Sequence, residues 1–411
     1  MRILFVYVGL SQLGGIETLI RRLSERLTDL GHQVTILLQE SSLDRSQDPA
    51  LLQDVRRYAR VLFVRGWFPN APASLRTLNL GEFEHIYAFE SNSLLLSIVV
   101  QSEFATSARL AFGVYYPREY CSRRRIKRYQ QRLVEDVMKV VPIQNVFFMN
   151  EANAHEHAEC LARDFRESPV VPLAIDLERF RTAKRSANRR KIVSVGRITD
   201  FKTYNFWMLD VIHTLNSVEE RFEYHVFGTG ELHAELARAV ESNGLAGHVF
   251  LHGNVPYSQF EEAMADAFVF VGMGTSVIEA AACGVPALVA IESIRSPETY
   301  GFLHEMEGYN VGEYVPDTPT YDAANVIEAL ARLDESGYEK VCERSALSAA
   351  KFSINVIAER FVSALSETRQ FSFRITPGMR LLDGFDLWLW RFLRLVGVKD
   401  PTTYRYLRIS Q

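Results

Sequence analysis

The chain has 411 residues, with 46 Lys and Arg against 50 Asp and Glu and a formal net charge of −4. Its 47% hydrophobic and 23% charged residues are those of a globular protein too long for one core, so two domains are expected. The mild acidity excludes a generally basic nucleic-acid binder, and four widely spaced cysteines without a CxxC argue against a disulfide framework or structural zinc and for a reducing compartment.

Residues 3–8 form a continuous apolar run, as expected of a parallel strand buried on both faces. They are followed by no signal-peptide cleavage site, and no apolar run approaches the roughly 20 residues that span a bilayer. Gly14 and Gly15 open a helix that runs to Leu30, with Ile16, Leu19, Ile20, Leu23, Leu27 and Leu30 on one face. Gly31 ends it and residues 34–38 make a second strand. Two glycines between strand and helix let backbone amides approach a phosphate or sugar. The GxGxxG fingerprint of dinucleotide binders is missing, which makes NAD a poor fit.

The alternation continues with strands expected at 61–64, 86–89, 110–112 and 145–149, and a buried helix or strand at 94–100. This predicts an open, mostly parallel sheet with helices on both faces, whose ligands bind beyond the carboxyl ends of the strands. Glu90, Ser91 and Asn92 stand at one such end, residues 113–119 (GVYYPRE) at another, and Asn150 and Glu151 at a third. They are the candidate acceptor-side groups. Arg123, Arg124, Arg125, Lys127, Arg128 and Arg132 form a basic cluster on an expected helix. It reads as a solvated face or as a contact for anionic lipid headgroups or a pyrophosphate-linked acceptor. His155, His157 and Cys160 match no closed zinc pattern, and no metal site is expected.

A polar run at 181–191 marks the domain boundary. Strands expected at 192–195, 222–227, 249–252, 267–271 and 287–290 then repeat the plan. Gly196 and Arg197 lie at the first carboxyl end, with Lys202 close behind; Gly228–Glu231 is expected to open a helix at the second; and 253–256 is a turn able to meet a flat base through Val255. After 267–271 comes GMGTSVIEAAACGVP, residues 272–286. Here Thr275 and Ser276 are expected helix N-caps, Val277 begins an alanine-rich helix, and Glu279 falls in its first turn, able to accept bonds from ribose hydroxyls. A helix start with free N–H groups suits a phosphate. Two sheets facing each other would leave a cleft between the domains.

These motifs, taken in order, resemble retaining glycosyltransferase family 4 (GT-B fold, glycosyl transferases group 1). The resemblance is carried by Gly14-Gly15-x-Glu17, by PLAIDLERF at 172–180, by Gly196-Arg197 with Lys202, by Gly228-x-Gly230-Glu231, and by Glu279-Ala-x-Ala-Cys-Gly284-x-Pro286, over about residues 1–365. It implies an α/β protein of two Rossmann-like domains with a cleft between them: 1–172 for the acceptor, 173–370 for the nucleotide sugar. It implies that Arg197 and Lys202 neutralise the donor pyrophosphate and that Glu279 holds the ribose. It further implies that Gly14 and Gly15 approach the phosphate and that the amides of Thr275, Ser276 and Val277, with Gly230, complete the donor site. Two departures stand out. The first position of the family's E-x7-E pattern falls on Val271, and a catalytic-site histidine is replaced by the region of Tyr115 and Tyr116, where Tyr116 or Glu119 is the expected substitute.

Residues 371–411 lie beyond the resemblance. Read as a helix, 377–396 gathers Arg380, Asp383, Asp386, Arg391 and Arg394 on a narrow polar face and Leu381, Leu382, Phe385, Trp388, Leu389, Phe392 and Leu393 on a wide apolar one. The tail either docks on protein or lies in a membrane interface. The expectation is a cytoplasmic glycosyltransferase, peripheral on the inner face of the membrane through 123–132 and 377–396. It would pass a sugar from a nucleotide-diphosphate sugar, the donor substrate, to a glycan or lipid-linked acceptor in surface polysaccharide biosynthesis, with no cofactor, metal or nucleic acid. An epimerase of the same fold and a non-catalytic partner subunit are the alternatives.

Overall fold

In a computed structural model the chain forms two compact units, 1–174 continued by 354–395, and Ile175–Ser353. Residues 11–13, 41–46, 66–71, 122–126, 181–189, 218–221, 257–258 and 396–411 lie outside the described part, which covers all others. The polar run at 181–191, three of the cluster arginines (123–125) and the end of the tail therefore fall largely or wholly outside it.

The first unit is built on β1 (Arg2–Tyr7), β2 (Gln33–Glu40), β3 (Arg60–Arg65), β4 (His85–Ala88), β5 (Arg109–Val114) and β6 (Val146–Phe148), in the order β3-β2-β1-β4-β5-β6. All pairings are parallel. Successive side chains of β1 serve opposite cores, Leu4 and Val6 on one face and Ile3, Phe5 and Tyr7 on the other. That two-sided burial is why the strand is apolar throughout. On the first face lies the helix Ser91–Glu103, the ambiguous apolar run, buried along most of its length. On the second lie the helices Gly15–Asp29 and Ile354–Glu367, where Phe361 meets Phe5, Tyr87 and Phe147 edge-on. The sequence reading carried the second domain to 370; in the structure the chain from Ile354 packs with the first unit.

The second unit is built on β7 (Lys191–Val195), β8 (Glu223–Phe227), β9 (Val249–Gly253), β10 (Val269–Gly272), β11 (Ala287–Ala290), β12 (Glu298–Phe302) and β13 (Tyr321–Asp322), in the order β13-β12-β11-β10-β7-β8-β9. The parallel part is the one expected. The antiparallel edge made by β12 and β13 has no counterpart in the sequence reading, because two short segments bounded by turns carry no apolar run to betray them. β7 and β10 again divide their side chains, Ile192, Val269 and Val271 on one face and Val193 and Phe270 on the other. None of the four cysteines is in a disulfide.

Candidate active site

In the second unit the expected donor residues gather at the carboxyl ends of β7, β8 and β10. The loops after β7 and β8 are zipped together by backbone bonds, Gly196 N–H to Phe227 O at 2.9 Å and Ile198 N–H to Thr229 O at 3.0 Å. The approach is so close that a Cβ on Gly228 would lie 1.9 Å from Gly196 O, and one on Gly230 2.2 Å from Ile198 O. These two glycines are therefore fixed by backbone against backbone, a sufficient reason for the Gly-x-Gly spacing before any ligand is considered. The helix expected to open there begins later, at His233. Thr229 Oγ1 donates to Asn254 Oδ1 at 2.8 Å, tying the loop that carries half-buried Val255 to the same edge.

Arg197 is exposed and Lys202 half-buried on this edge. The Lys202 ammonium lies beneath Gly196, whose Cβ would meet Nζ at 2.7 Å. Loss of solvation, and then the neighbouring Arg197 charge, lower its pKa to about 8. Neither cation has a carboxylate partner among the described residues. Beneath the site, Ser194 Oγ donates to Val271 O at 2.6 Å and accepts from Tyr224 Oη at 2.8 Å, and Tyr224 Oη also reaches Asn205 Oδ1 at 3.4 Å. This buried network holds β7, β8 and β10 in register. Its members come from β7, β8, β10 and the helix Tyr204–Asn216, and nothing in the sequence marks them as neighbours.

The helix after β10 is Thr275–Ala282. Its N-cap is Gly274, at φ 78°, and no side chain caps it. Thr275 and Ser276 are thus the first helical residues and not the caps expected; Ser276 Oγ turns back to Met273 O at 3.3 Å. The reason is the left-handed φ at 274, which places the turn one residue earlier than a Thr or Ser cap allows. Glu279 consequently stands in the second turn, buried, and not in the first. Val277 is fully buried. Val271, at the position of the missing glutamate, points its side chain into the core with Tyr204 and Met208.

In the first unit the expected residues also reach the carboxyl edge, but most are engaged. Gly14 is the N-cap of the helix Gly15–Asp29, and a Cβ there would meet the Glu17 carboxylate at 2.5 Å. Glu17 accepts from Tyr7 Oη at 2.8 Å. Burial first, then the Glu90 and Glu17 charges, hold the Tyr7 phenol far above its ordinary pKa. Tyr115 is buried and shares a 2.9 Å bond with Tyr87 Oη. Tyr116 is half-buried against the same core. Glu119 accepts from Ser91 N–H at 2.9 Å and Tyr115 N–H at 3.0 Å, so its carboxylate clamps the end of β5 to the start of the helix Ser91–Glu103. His157 is buried and pushed down to about 4 by burial; Nδ1 donates to Asn153 O at 2.8 Å and Nε2 accepts from Tyr120 N–H at 3.2 Å, a structural neutral histidine. Asn150 caps the helix Glu151–Leu161 by accepting from Asn153 N–H at 2.9 Å. Its Nδ2, and both side-chain polar atoms of Asn153, are buried without a partner. Asn153 was not singled out from the sequence; only its place one turn into this helix reveals it. Among the described residues no group of three His, Cys, Asp or Glu could hold a metal.

Lys127 and Arg128 of the basic cluster precede a helix that starts at Tyr129, so they are not on it. Lys127 pairs with Glu135 at 2.7 Å and Arg128 with Asp386 at 3.1 Å. Among the described residues no helix is long and apolar enough to cross a membrane.

Residues 176–297 match the family model for glycosyl transferases group 1. The chain is 25% identical over 352 residues to the phosphatidylinositol N-acetylglucosaminyltransferase GPI3 subunit of Saccharomyces cerevisiae (strain YJM789), covering 80% of this chain and 75% of that protein. It is 26% identical over 180 residues to the amylovoran biosynthesis glycosyltransferase AmsK of Erwinia amylovora, covering 40% of this chain and 42% of that one. Among solved structures, a glycosyltransferase from Rickettsia africae ESF-5 superposes with a TM-score of 0.64 at 13% identity, covering 89% of this chain and 98% of that one.

Proposed function

We propose that this chain, whose fold is that of solved GT-B glycosyltransferases, is a group 1 hexosyltransferase that moves a sugar from a nucleoside-diphosphate donor to a glycan or lipid-linked acceptor with retention at the anomeric carbon. The observation that carries the reading is the pair Arg197 and Lys202. Two cations share one strand edge without a carboxylate partner among the described residues, one of them with a depressed pKa. A folded protein gains nothing by desolvating an ammonium beside a guanidinium unless an anion arrives to join them. The uncapped start of Thr275–Ala282 on the same sheet edge supports the same charge.

As the bond from the anomeric carbon to the diphosphate breaks, negative charge grows on the leaving phosphate. Arg197 offers a planar fork to two of its oxygens, Lys202 a point charge, and the helix start its amides; groups already in place stabilise this charge without reorganising. We assign Glu279 to the ribose, and Asn150 and Asn153, with unpartnered buried amide atoms, support acceptor hydroxyl binding in the first unit. The likeness to a phosphatidylinositol N-acetylglucosaminyltransferase subunit and to an amylovoran biosynthesis glycosyltransferase supports a surface-glycan or lipid-linked acceptor and action at the cytoplasmic face of a membrane.

The test is a panel of UDP-, GDP- and ADP-sugars read by thermal shift, followed by product analysis with the one that binds. One donor should raise the melting temperature in wild type and not in Arg197→Ala. If no nucleoside diphosphate shifts the wild type, the donor assignment is wrong; an inverted product would overturn retention alone.

A further inference from the structure

The helix Pro377–Leu395 is bound to the first unit by its polar stripe, and its apolar face is turned outward. Arg128 pairs with Asp386 at 3.1 Å and stacks over Trp390 at 5.8 Å; Arg380 pairs with Glu103 at 2.6 Å. Asp383 is buried, and Met379 packs on the core. The opposite face holds Leu381, Leu382, Phe385, Trp388 and Phe392, between 45% and 75% exposed. The spacing 381, 385, 388, 392 is one continuous stripe of an α-helix. Its rings are in register with each other, Phe385 to Trp388 at 5.9 Å and Trp388 to Phe392 at 5.9 Å, the latter nearly parallel at 11°. The other exposed large hydrophobics among the described residues are scattered singly over other elements, which is ordinary for a protein surface.

We propose that this outward stripe is a docking surface for an anionic lipid bilayer, on which the helix lies in the interface plane while its polar stripe keeps hold of the first unit. Charge selects the occupant. Both carboxylates of the helix, Asp383 and Asp386, are turned to the protein, so none remains on the outward face. Arg374, just before the helix, and Arg132, on the neighbouring helix Tyr129–Val140, are exposed cations. In sequence, 123–132 contains six basic residues and no acidic one. Aromatic rings beside arginines suit the headgroup boundary of an anionic leaflet. A second copy seated on this face through a two-fold axis would set the same rings, without any carboxylate, against the same cations. The ion pairs with Arg128 and Glu103 fix which side of the first unit would face the lipid, and this holds whatever the donor turns out to be.

The experiment is co-sedimentation of the full chain with vesicles of phosphatidylcholine alone or with phosphatidylglycerol at low and high salt. The variant is the triple substitution Phe385→Ser, Trp388→Ser and Phe392→Ser. These side chains are exposed, so melting temperature and donor binding should be unchanged, while the bound fraction on anionic vesicles falls at least about 10-fold. Wild type should prefer anionic vesicles and lose binding as salt rises. Equal sedimentation of the triple variant overturns the proposal, as does wild type that stays in solution with both vesicle types. A wild-type dimer in light scattering that the triple variant abolishes, without vesicle binding, would assign the face to a second copy instead.

Discussion

The two sheet edges of this protein both carry ionisable side chains but treat them oppositely. At the edge of the first unit the carboxylates and phenols are spent on the protein itself: Glu119 on two backbone amides, Glu17 on Tyr7, Tyr115 on Tyr87. At the edge of the second unit Arg197 and Lys202 have no carboxylate among the described residues, and the helix that follows β10 starts without a side-chain cap. A saturated group holds shape; an unsaturated, partly desolvated one raises the energy of the free protein and repays it only when a ligand binds. Under the function proposed above, Glu119 positions the β5 loop and the cations of the second unit meet the donor.

The largest effect that would break this contrast is expected at Arg197. Arg197→Ala should cut kcat about 100-fold, as for removal of one preorganised donor to a developing charge, with its melting temperature kept. Unchanged turnover would place the phosphate elsewhere. Glu119→Ala comes next and should act in the opposite way. Stranding two amides should cost about 1–3 kcal/mol of stability, with any residual activity in the folded fraction close to wild type. A large fall in kcat at unchanged stability would restore Glu119 as a catalytic group. Lys202→Met sharpens the other side. It should abolish donor-induced stabilisation yet raise the stability of the free protein by about 1 kcal/mol, because a desolvated cation beside Arg197 is removed. Loss of stability would mean that Lys202 has a structural partner.

The smallest effects are expected from pH. The Lys202 pKa in the free protein is about 8, below its ordinary value, so the ammonium is present at pH 7 and lost as pH rises through 8. Donor affinity, measured calorimetrically, should weaken over that window in wild type and be flat in Lys202→Met. His157 works at the acid end of the first unit. Its folded pKa is about 4 and the unfolded value is higher, so the unfolded chain takes up the proton first as pH falls. Stability should decline between about pH 6.5 and 4, and His157→Gln, which keeps a donor and an acceptor, should flatten that slope.

Much of the fold was legible in the sequence because its signals are local. Continuous apolar runs such as residues 3–8 and 287–290 announce strands buried on both faces, and the 3.6 period of Ile16, Leu19, Leu23 and Leu27 announces a helix laid on them. Candidate site positions at strand ends followed from the same reading, because a parallel sheet carries its ligand-facing loops at one edge. Where the local signal was short or ambiguous the reading went astray. The two-residue β13 has no period to detect, and Thr275 and Ser276 are good enough caps to compete in the string with Gly274, whose left-handed φ makes it the actual cap.

The sequence by itself determined the alternation of strands and helices, the two-unit plan and the order of its phosphate-type turns. Only tertiary structure decided that Gly228 and Gly230 are fixed by the backbone of 196–198, that Glu119 is spent on amides while Lys202 has no carboxylate partner among the described residues, that the helix Ile354–Glu367 returns to the first unit, and that the helix Pro377–Leu395 presents its aromatic side outward. The physical reason is one of range. Periodicity and propensity act between residues a few positions apart and are written in the string, whereas pairing, desolvation and backbone contact depend on which distant residues the fold brings within a few ångströms of each other.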